Sequence, residues 1–320
     1  EKQFSRLDEA VANLKRVKAN LKRYKASVLK AAVEGNLTKD WRKQHPNVEP
    51  ASNLLERILT ERRAKWGGRG KYKEPIAPDG IGFPSLPIGW TWASLGMVGQ
   101  HDRPIIYGII KPGPHIPSGV PYVRVTEMKN GWVDVKNLRR TSPERAAKFA
   151  RATLAPGDVL ISKDGTIGRV AVVPPELKGG NITQHVMRAP VHSLMVRDFV
   201  VWAIRSDFCQ RWLTGETRGV ALQGVNVEDF RRLPVPIPSY DEHEKIVAEV
   251  ERRLSVIEEL EAAVEANMTR ADRLRQSILS QAFSGRLLTQ DLKSIPNAAA
   301  TFSIAAESSA SYGTDSRAER

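Results

Sequence analysis

The residues of this chain that could do chemistry are scattered rather than clustered. The nearest approach to a hydrolytic set is Pro78-Asp79 with Asp134-Val135-Lys136. Two carboxylates and a lysine are what a Mg²⁺-dependent nuclease requires. Asp79 falls in a linker and Asp134 in a turn-flanked strand, so this pairing is of a kind that chance supplies. The stretch SKDGTIG, residues 162–168, frees backbone N–H groups at Gly165 and Gly168, as anion-binding loops do. Its hairpin context makes it a structural turn first, with Lys163 and Arg169 still able to reach a phosphate. There is no GxxxxGK[ST], no HExxH, no GxSxG and no Cys/His arrangement. The Asp-Pro-Pro-Tyr or Asn-Pro-Pro-Tyr run with which amino-methyltransferases hold a flipped base is missing, as is a glycine-rich adenosylmethionine loop. The six histidines have no metal-ligand spacing. The expectation is no catalytic residue, no metal and no cofactor in this chain.

What remains is a set of basic, amide-bearing loops. Arg103, Tyr107, Lys111 and His115 stand in DRPIIYGIIKPGPHIP, residues 102–117. Lys163, Thr166 and Arg169 flank the Asp-Gly turn. Asn181, Thr183, Gln184 and His185 precede a strand, and Arg218, Gln223 and Asn226 lie in a later loop. Arg and Lys suit guanine edges, Asn and Gln suit adenine edges. Singly, each reads as solvated surface; together they make a candidate double-stranded DNA face. The charge distribution fits. Residues 1–45 carry 12 Lys/Arg against 5 Asp/Glu and residues 90–237 carry 20 against 12, whereas residues 238–292 carry 7 against 11. A basic excess favours polyanionic partners through counterion release.

The elements that must hold these loops are clearest at the two ends. From Asp241, apolar residues recur with the heptad period, including Val250, Ile257, Val264, Ala271 and Ile278. The first helix repeats the pattern at Leu14, Leu21 and Val28, amid Lys15, Arg16, Lys18, Lys22, Arg23 and Lys25. A basic and an acidic helix with matching seams should pair. They also end alike: SVLKAAVEGNLT (27–38) and SILSQAFSGRLL (277–288) each place a glycine, Gly35 or Gly285, where a left-handed residue closes a helix.

Between them, LLERILTERRAKW (54–66) is a short amphipathic helix and residues 67–89 form a Gly/Pro-rich linker. VPYVRVTEM, GWVDVKNL, GDVLIS, IGRVAVVP and QHVMRAPV read as strands, with hairpin signals at Asn130-Gly131 and Asp164-Gly165. Residues 195–214 read as a helix, and LPVPIPS as an exit of alternating prolines. The fold expected is α+β: a strand-rich domain at 89–238, a long basic helix at 1–44, a connector at 45–88, a long acidic helix at 239–292 and a disordered tail at 293–320. Lone Cys209 is expected to be a small buried residue. With no signal-peptide pattern and no long apolar run, the protein is expected to be cytoplasmic, without a membrane partner.

The order of these parts resembles the specificity (S) subunits of type I restriction-modification enzymes. LPIGWTWASLG, GDVLISKDGTIGR, NITQHV, RRLPVPIPSYDEHEKIVAEVE and SILSQAFSGRLL look like that family's framework, and SVLKAAVEGNLT with LLERILTERRAKW like the passage between two recognition domains. The resemblance covers about residues 1–290. It implies a non-catalytic subunit whose target-recognition domain reads half of a bipartite DNA site. It implies long helices that pair antiparallel, set the gap between half-sites and dock modification (M) subunits. S-adenosylmethionine would then sit on the M subunits, and ATP with Mg on restriction (R) subunits. The chain resembles the second half of such a subunit, so it is expected to be a fragment, or a half-length subunit that self-dimerises; its start inside a helix favours the fragment. If GTIGR and NITQHV serve domains of many specificities, they should hold the fold or touch the DNA backbone. The base-choosing residues should then lie around 103–117 and 216–226.

Overall fold

The computed structural model describes residues 2–67, 70–129, 131–215 and 224–284. Two long helices dominate, α1 (Lys2–Val33) and, last in the chain, a 44-residue helix at Tyr240–Phe283. α1 stops where the sequence says it should. Gly35 adopts φ +70°, and Asn36 N donates to Ala31 O at 2.8 Å, closing the last turn. The basic segment 1–44 is therefore not one helix: a short α2 (Lys39–Gln44) follows the break, then α3 (Ala51–Ala64). Gly285 and the tail lie outside the described residues.

The central domain is built on three small sheets. β1 (Thr91–Ser94) pairs antiparallel with β9 (Pro234–Ile237). β2 (Ile106–Tyr107), β5 (Val159–Ser162), β6 (Val170–Val172) and β8 (Val186–Ala189) form a second sheet in the order β2-β8-β5-β6. β3 (Val120–Val123), β4 (Arg139–Thr141) and β7 (Asn181–Ile182) form the third, with β3 central.

Three local readings change. LPVPIPS, expected only as an exit of alternating prolines, is a strand: the missing N–H groups of Pro234 and Pro236 fall on one edge and the other edge still pairs with β1. After a short α4 (Pro143–Ala147), the expected helix at 195–214 is two, α5 (Arg197–Arg205) and α6 (Asp207–Thr214). Ser206 is extended and its Oγ caps α6 by accepting from Cys209 N. GWVDVKNL forms only isolated bridges, Val133 with Met128 and Gly131 with Ala171, and β3 takes β4 as its antiparallel partner instead.

Contacts divide the chain into two compact units, Glu1–Ala19 with Glu261–Arg320, and Asn20–Leu260. The larger unit has two apolar cores. One gathers Ala93, Val235 and Ile237 of the β1–β9 pair, Phe199, Trp202 and Leu213 of α5 and α6, Leu54 and Ile58 of α3, Val28 and Ala32 of α1, and Ile246 and Val250 of the last helix, which is α8. Fully burying such a side chain contributes about 1.5–3 kcal/mol, so this core ties the helices to the domain. The other core lies between the two larger sheets, with Val123, Leu160, Ala171, Ile182 and Val186.

The expected seam residues face inward. Leu21, Val28, Val250, Ile257, Val264 and Ala271 are buried, and Leu14 and Ile278 partly so. In the smaller unit, Asp8 pairs with Arg275, and Lys18 Nζ lies 2.5 Å from Glu265. The residue numbers of both pairs add to 283, as antiparallel helices in one register require. In the larger unit Lys25 and Glu258 lie 3.7 Å apart. These pairs are exposed and each contributes about 0–1 kcal/mol, so they select orientation more than they stabilise.

Candidate nucleic-acid interface

Parts of three polar loops, around 110–113, 164–166 and 183–185, meet at a groove of roughly 690 Å³ beside the β4-β3-β7 sheet. Its floor holds Tyr122 of β3 and Thr183, just after β7. Its walls hold Arg124, Thr126 and Arg139 on one side and Asp164, Gly165, Thr166 and His185 on the other, with Ile110 and Pro112 at the rim. Strand pairing builds this arrangement. Tyr122 lies opposite Arg139 across the antiparallel ladder and opposite Asn181 across the parallel one. The 108–113 loop is stitched to β7, because Ile109 N donates to Ile182 O at 2.7 Å and Gln184 N donates to Ile109 O at 2.9 Å. That approach demands a glycine at 108, where a Cβ would stand 1.9 Å from Ile182 O.

The turn after β5 carries the densest polar cluster. Asp164 accepts from Lys163 Nζ at 2.9 Å, and its Oδ2 lies 2.8 Å from His185 Nδ1. Partial burial pushes the Asp164 carboxyl up, but hydrogen bonds from Lys163 and His185 outweigh it and hold it below its ordinary value. Behind Arg124, burial likewise opposes ionisation of Glu127. Hydrogen bonds from Arg124 and Thr126 prevail there, and Glu127 also accepts from Arg124 N at 2.9 Å. Arg139 leaves an exposed guanidinium at the rim. The groove therefore presents cations, hydroxyls and an imidazole over a protein floor, a surface suited to phosphates and base edges.

The loop residues expected to face DNA separate in the structure. Thr166 and His185 line the groove, with Lys163 paired to the lining Asp164, Gln184 beside His185 and Lys111 exposed on the stitched loop. Tyr107 is exposed on β2. Arg103 is engaged elsewhere: its guanidinium grips the buried Asp158 through contacts of 2.7 and 2.6 Å. Arg169 turns inward and donates to Val125 O and Met128 O, both at 3.1 Å. Asn226 caps α7 (Val227–Arg232) by accepting from Asp229 N at 2.9 Å. Arg218 and Gln223 lie outside the described residues. Arg124 and Arg139 are the groove residues that the sequence reading missed. Nothing local marks them, since only the pairing of β3 with β4 brings them to the rim.

Asp79 and Asp134 each bond locally, accepting from Ile81 N and Lys136 N, both at 3.1 Å. Among the described residues no group of three or more His, Cys, Asp or Glu is placed to hold a metal ion. Nor is any described helix long and apolar enough to cross a membrane.

Residues 113–266 match the family described as the type I restriction modification DNA specificity domain. The chain is 30% identical over 319 residues to the specificity subunit of the type I restriction enzyme EcoBI of Escherichia coli, covering 97% of this chain and 61% of that protein. It is 26% identical to the EcoDI specificity subunit of the same species, covering 97% and 65%. A chain solved in work on complex assembly and conformational transition of the type I R-M system shares the fold. Its TM-score is 0.50 at 19% identity, covering 88% of this chain and 59% of that one. The chain thus spans under two thirds of the length of these relatives.

Proposed function

This chain carries a type I restriction-modification DNA specificity domain, and from that premise we propose that it reads one half of a bipartite DNA site within a larger complex. The observation that carries the reading is the cationic groove between the β3–β4 pair and the Asp164–His185 turns. Phosphate contacts from Lys111 and Arg139 would set the register of the domain on the duplex, and base-edge contacts would come from the turns. The paired seams of α1 and α8 would fix the domain's distance from a second recognition domain and offer a docking face for M subunits. Catalysis would belong to those partners, with S-adenosylmethionine on the M subunits and ATP with Mg on R subunits, in the cytoplasm where the DNA lies. A second copy of this chain could supply the other recognition domain if no longer chain does.

Titrating labelled duplex DNA at several salt concentrations tests this reading. Affinity should fall steeply with salt, and Lys111→Ala with Arg139→Ala should flatten the dependence by about one counterion each. Affinity indifferent to salt would sink direct phosphate contact. Cleavage of DNA by the purified chain with Mg²⁺ alone would sink the non-catalytic role.

A further inference from the structure

The turn between β7 and β8 ends in a relay of three side chains. Asp164 Oδ2 lies 2.8 Å from His185 Nδ1, and His185 Nε2 lies 3.3 Å from Gln184 Nε2. An ionised carboxylate only accepts, so Nδ1 carries the hydrogen and donates it. The other nitrogen of a neutral imidazole is then an acceptor, and what it faces is an amide N–H of Gln184. The relay is anchored at both ends. Lys163 Nζ holds Asp164 at 2.9 and 3.1 Å, and Lys163 N donates to His185 O at 3.0 Å. Gln184 is held by its own backbone bond to Ile109 O.

This chain of donors decides which way the Gln184 amide faces. With one N–H committed to His185, the amide keeps a second N–H and its Oε1 side by side. A donor next to an acceptor in that order complements the N7 acceptor and N6 donor on the major-groove edge of adenine. We propose that Gln184 reads an adenine through this pair, with His185 and Asp164 as positioning residues that set the amide's orientation. The inference rests on the DNA-reading function above. It departs from the expectation that the NITQHV stretch holds the fold or touches the DNA backbone and leaves the choice of bases to other loops. The His185 side chain is 51% exposed at the groove, where a bond needed only for folding would gain more from burial.

Selection from a random-sequence duplex library by the full chain tests it. The native chain should enrich a motif with adenine at one position. Gln184→Ala should lose preference at that position alone. Gln184→Glu should move the preference there from adenine to cytosine, because a carboxylate accepts from cytosine N4. His185→Phe keeps an aromatic ring but removes the acceptor, and should weaken adenine discrimination about tenfold while leaving other positions intact. The near-isosteric Gln184→Glu chain decides the matter should Gln184→Ala fail to fold. Variants that enrich the native motif unchanged, or lose all positions uniformly, overturn the assignment. A native chain that enriches no motif overturns the DNA-reading function itself, and the assignment with it.

Discussion

Arg42 and Glu242, 200 residues apart in sequence, meet in the interior of the larger unit with Nη2 and Oε1 at 2.7 Å. Glu242 is 2% exposed and accepts also from Arg42 Nε at 3.1 Å, from Thr38 Oγ1 at 2.6 Å and from Trp90 Nε1 at 2.8 Å. Through this one carboxylate, the segment after α1, the entry to β1 and the first turn of α8 are held together. Glu242→Ala would leave a partly buried guanidinium, a hydroxyl and an indole N–H without their acceptor. The expected loss is about 3–5 kcal/mol, read from urea unfolding. Glu242→Gln keeps one acceptor oxygen and should lose less.

Gly35 lies beneath that junction at φ +70°. A Cβ there would stand 2.6 Å from Pro87 Cγ and 2.7 Å from Arg42 Nη2, whereas at Gly165, with φ +69°, nothing lies within 4 Å. Both Gly→Ala changes impose the left-handed conformation on a residue that resists it, at about 1 kcal/mol. Only Gly35→Ala also displaces the Arg42 guanidinium. A thermal melt should therefore show Gly35→Ala clearly less stable than Gly165→Ala. Equal shifts would mean that the junction yields to the added methyl.

Much of this organisation is legible in the sequence because it is local. The heptad seam needs only spacing, and residues from Leu14 to Ile278 face inward as that spacing requires. Gly35 closes α1 for the same reason. Long-range pairing is not legible. Arg103 looks like a free loop arginine until the fold brings buried Asp158 to it. Arg139 gains its place at the groove only because β4 lies against Tyr122. Asn226 is an instructive miss, because Asn226 followed by Asp229 is a readable helix start. β9 was hidden by prolines that usually argue against a strand.

Arg103 should consequently behave as a structural residue. Arg103→Ala strips the buried Asp158 of its charged partner. Stability should fall by about 3 kcal/mol, and any loss of DNA affinity should be recovered at lower temperature, where the fold is restored. Lys111→Ala should do the reverse, weakening DNA binding with an unchanged unfolding midpoint. An Arg103→Ala chain of native stability with impaired binding would reassign the residue to the interface.

The seam can be tested apart from the exposed charges. Val264 is 6% exposed and Ile257 1%. Placing Asp at either site buries an unpaired charge, and each change should cost several kcal/mol. Reversing Lys18 to Glu should cost under about 1 kcal/mol, because Lys18 and Glu265 are both solvated. Melting followed by helical circular dichroism checks the ranking. In a pull-down with M subunits, Val264→Asp should lose capture and Lys18→Glu should retain it.

His243 makes the fold acid-sensitive. Its ring is buried edge-on against Phe199, with centroids 4.9 Å apart, and neither ring nitrogen has a hydrogen-bond partner. Burial pushes the imidazole down to about 3 from its ordinary 6.5. The unfolded chain therefore takes up a proton at this residue before the folded chain can. The resulting stability is fully present above pH 6.5 and is lost as the pH falls from there toward about 3. Glu249, held at about 2 mainly by the hydrogen bond from Arg252, adds acid sensitivity only below its ordinary 4.5. Between pH 6.5 and pH 4.5 the slope belongs to His243 rather than to Glu249. Urea midpoints measured from pH 7 to pH 4.5 should decline for the native chain, and His243→Leu should flatten that decline. A slope that persists unchanged in His243→Leu would assign it to another group, with the buried His192, which burial also pushes down, as the next to replace.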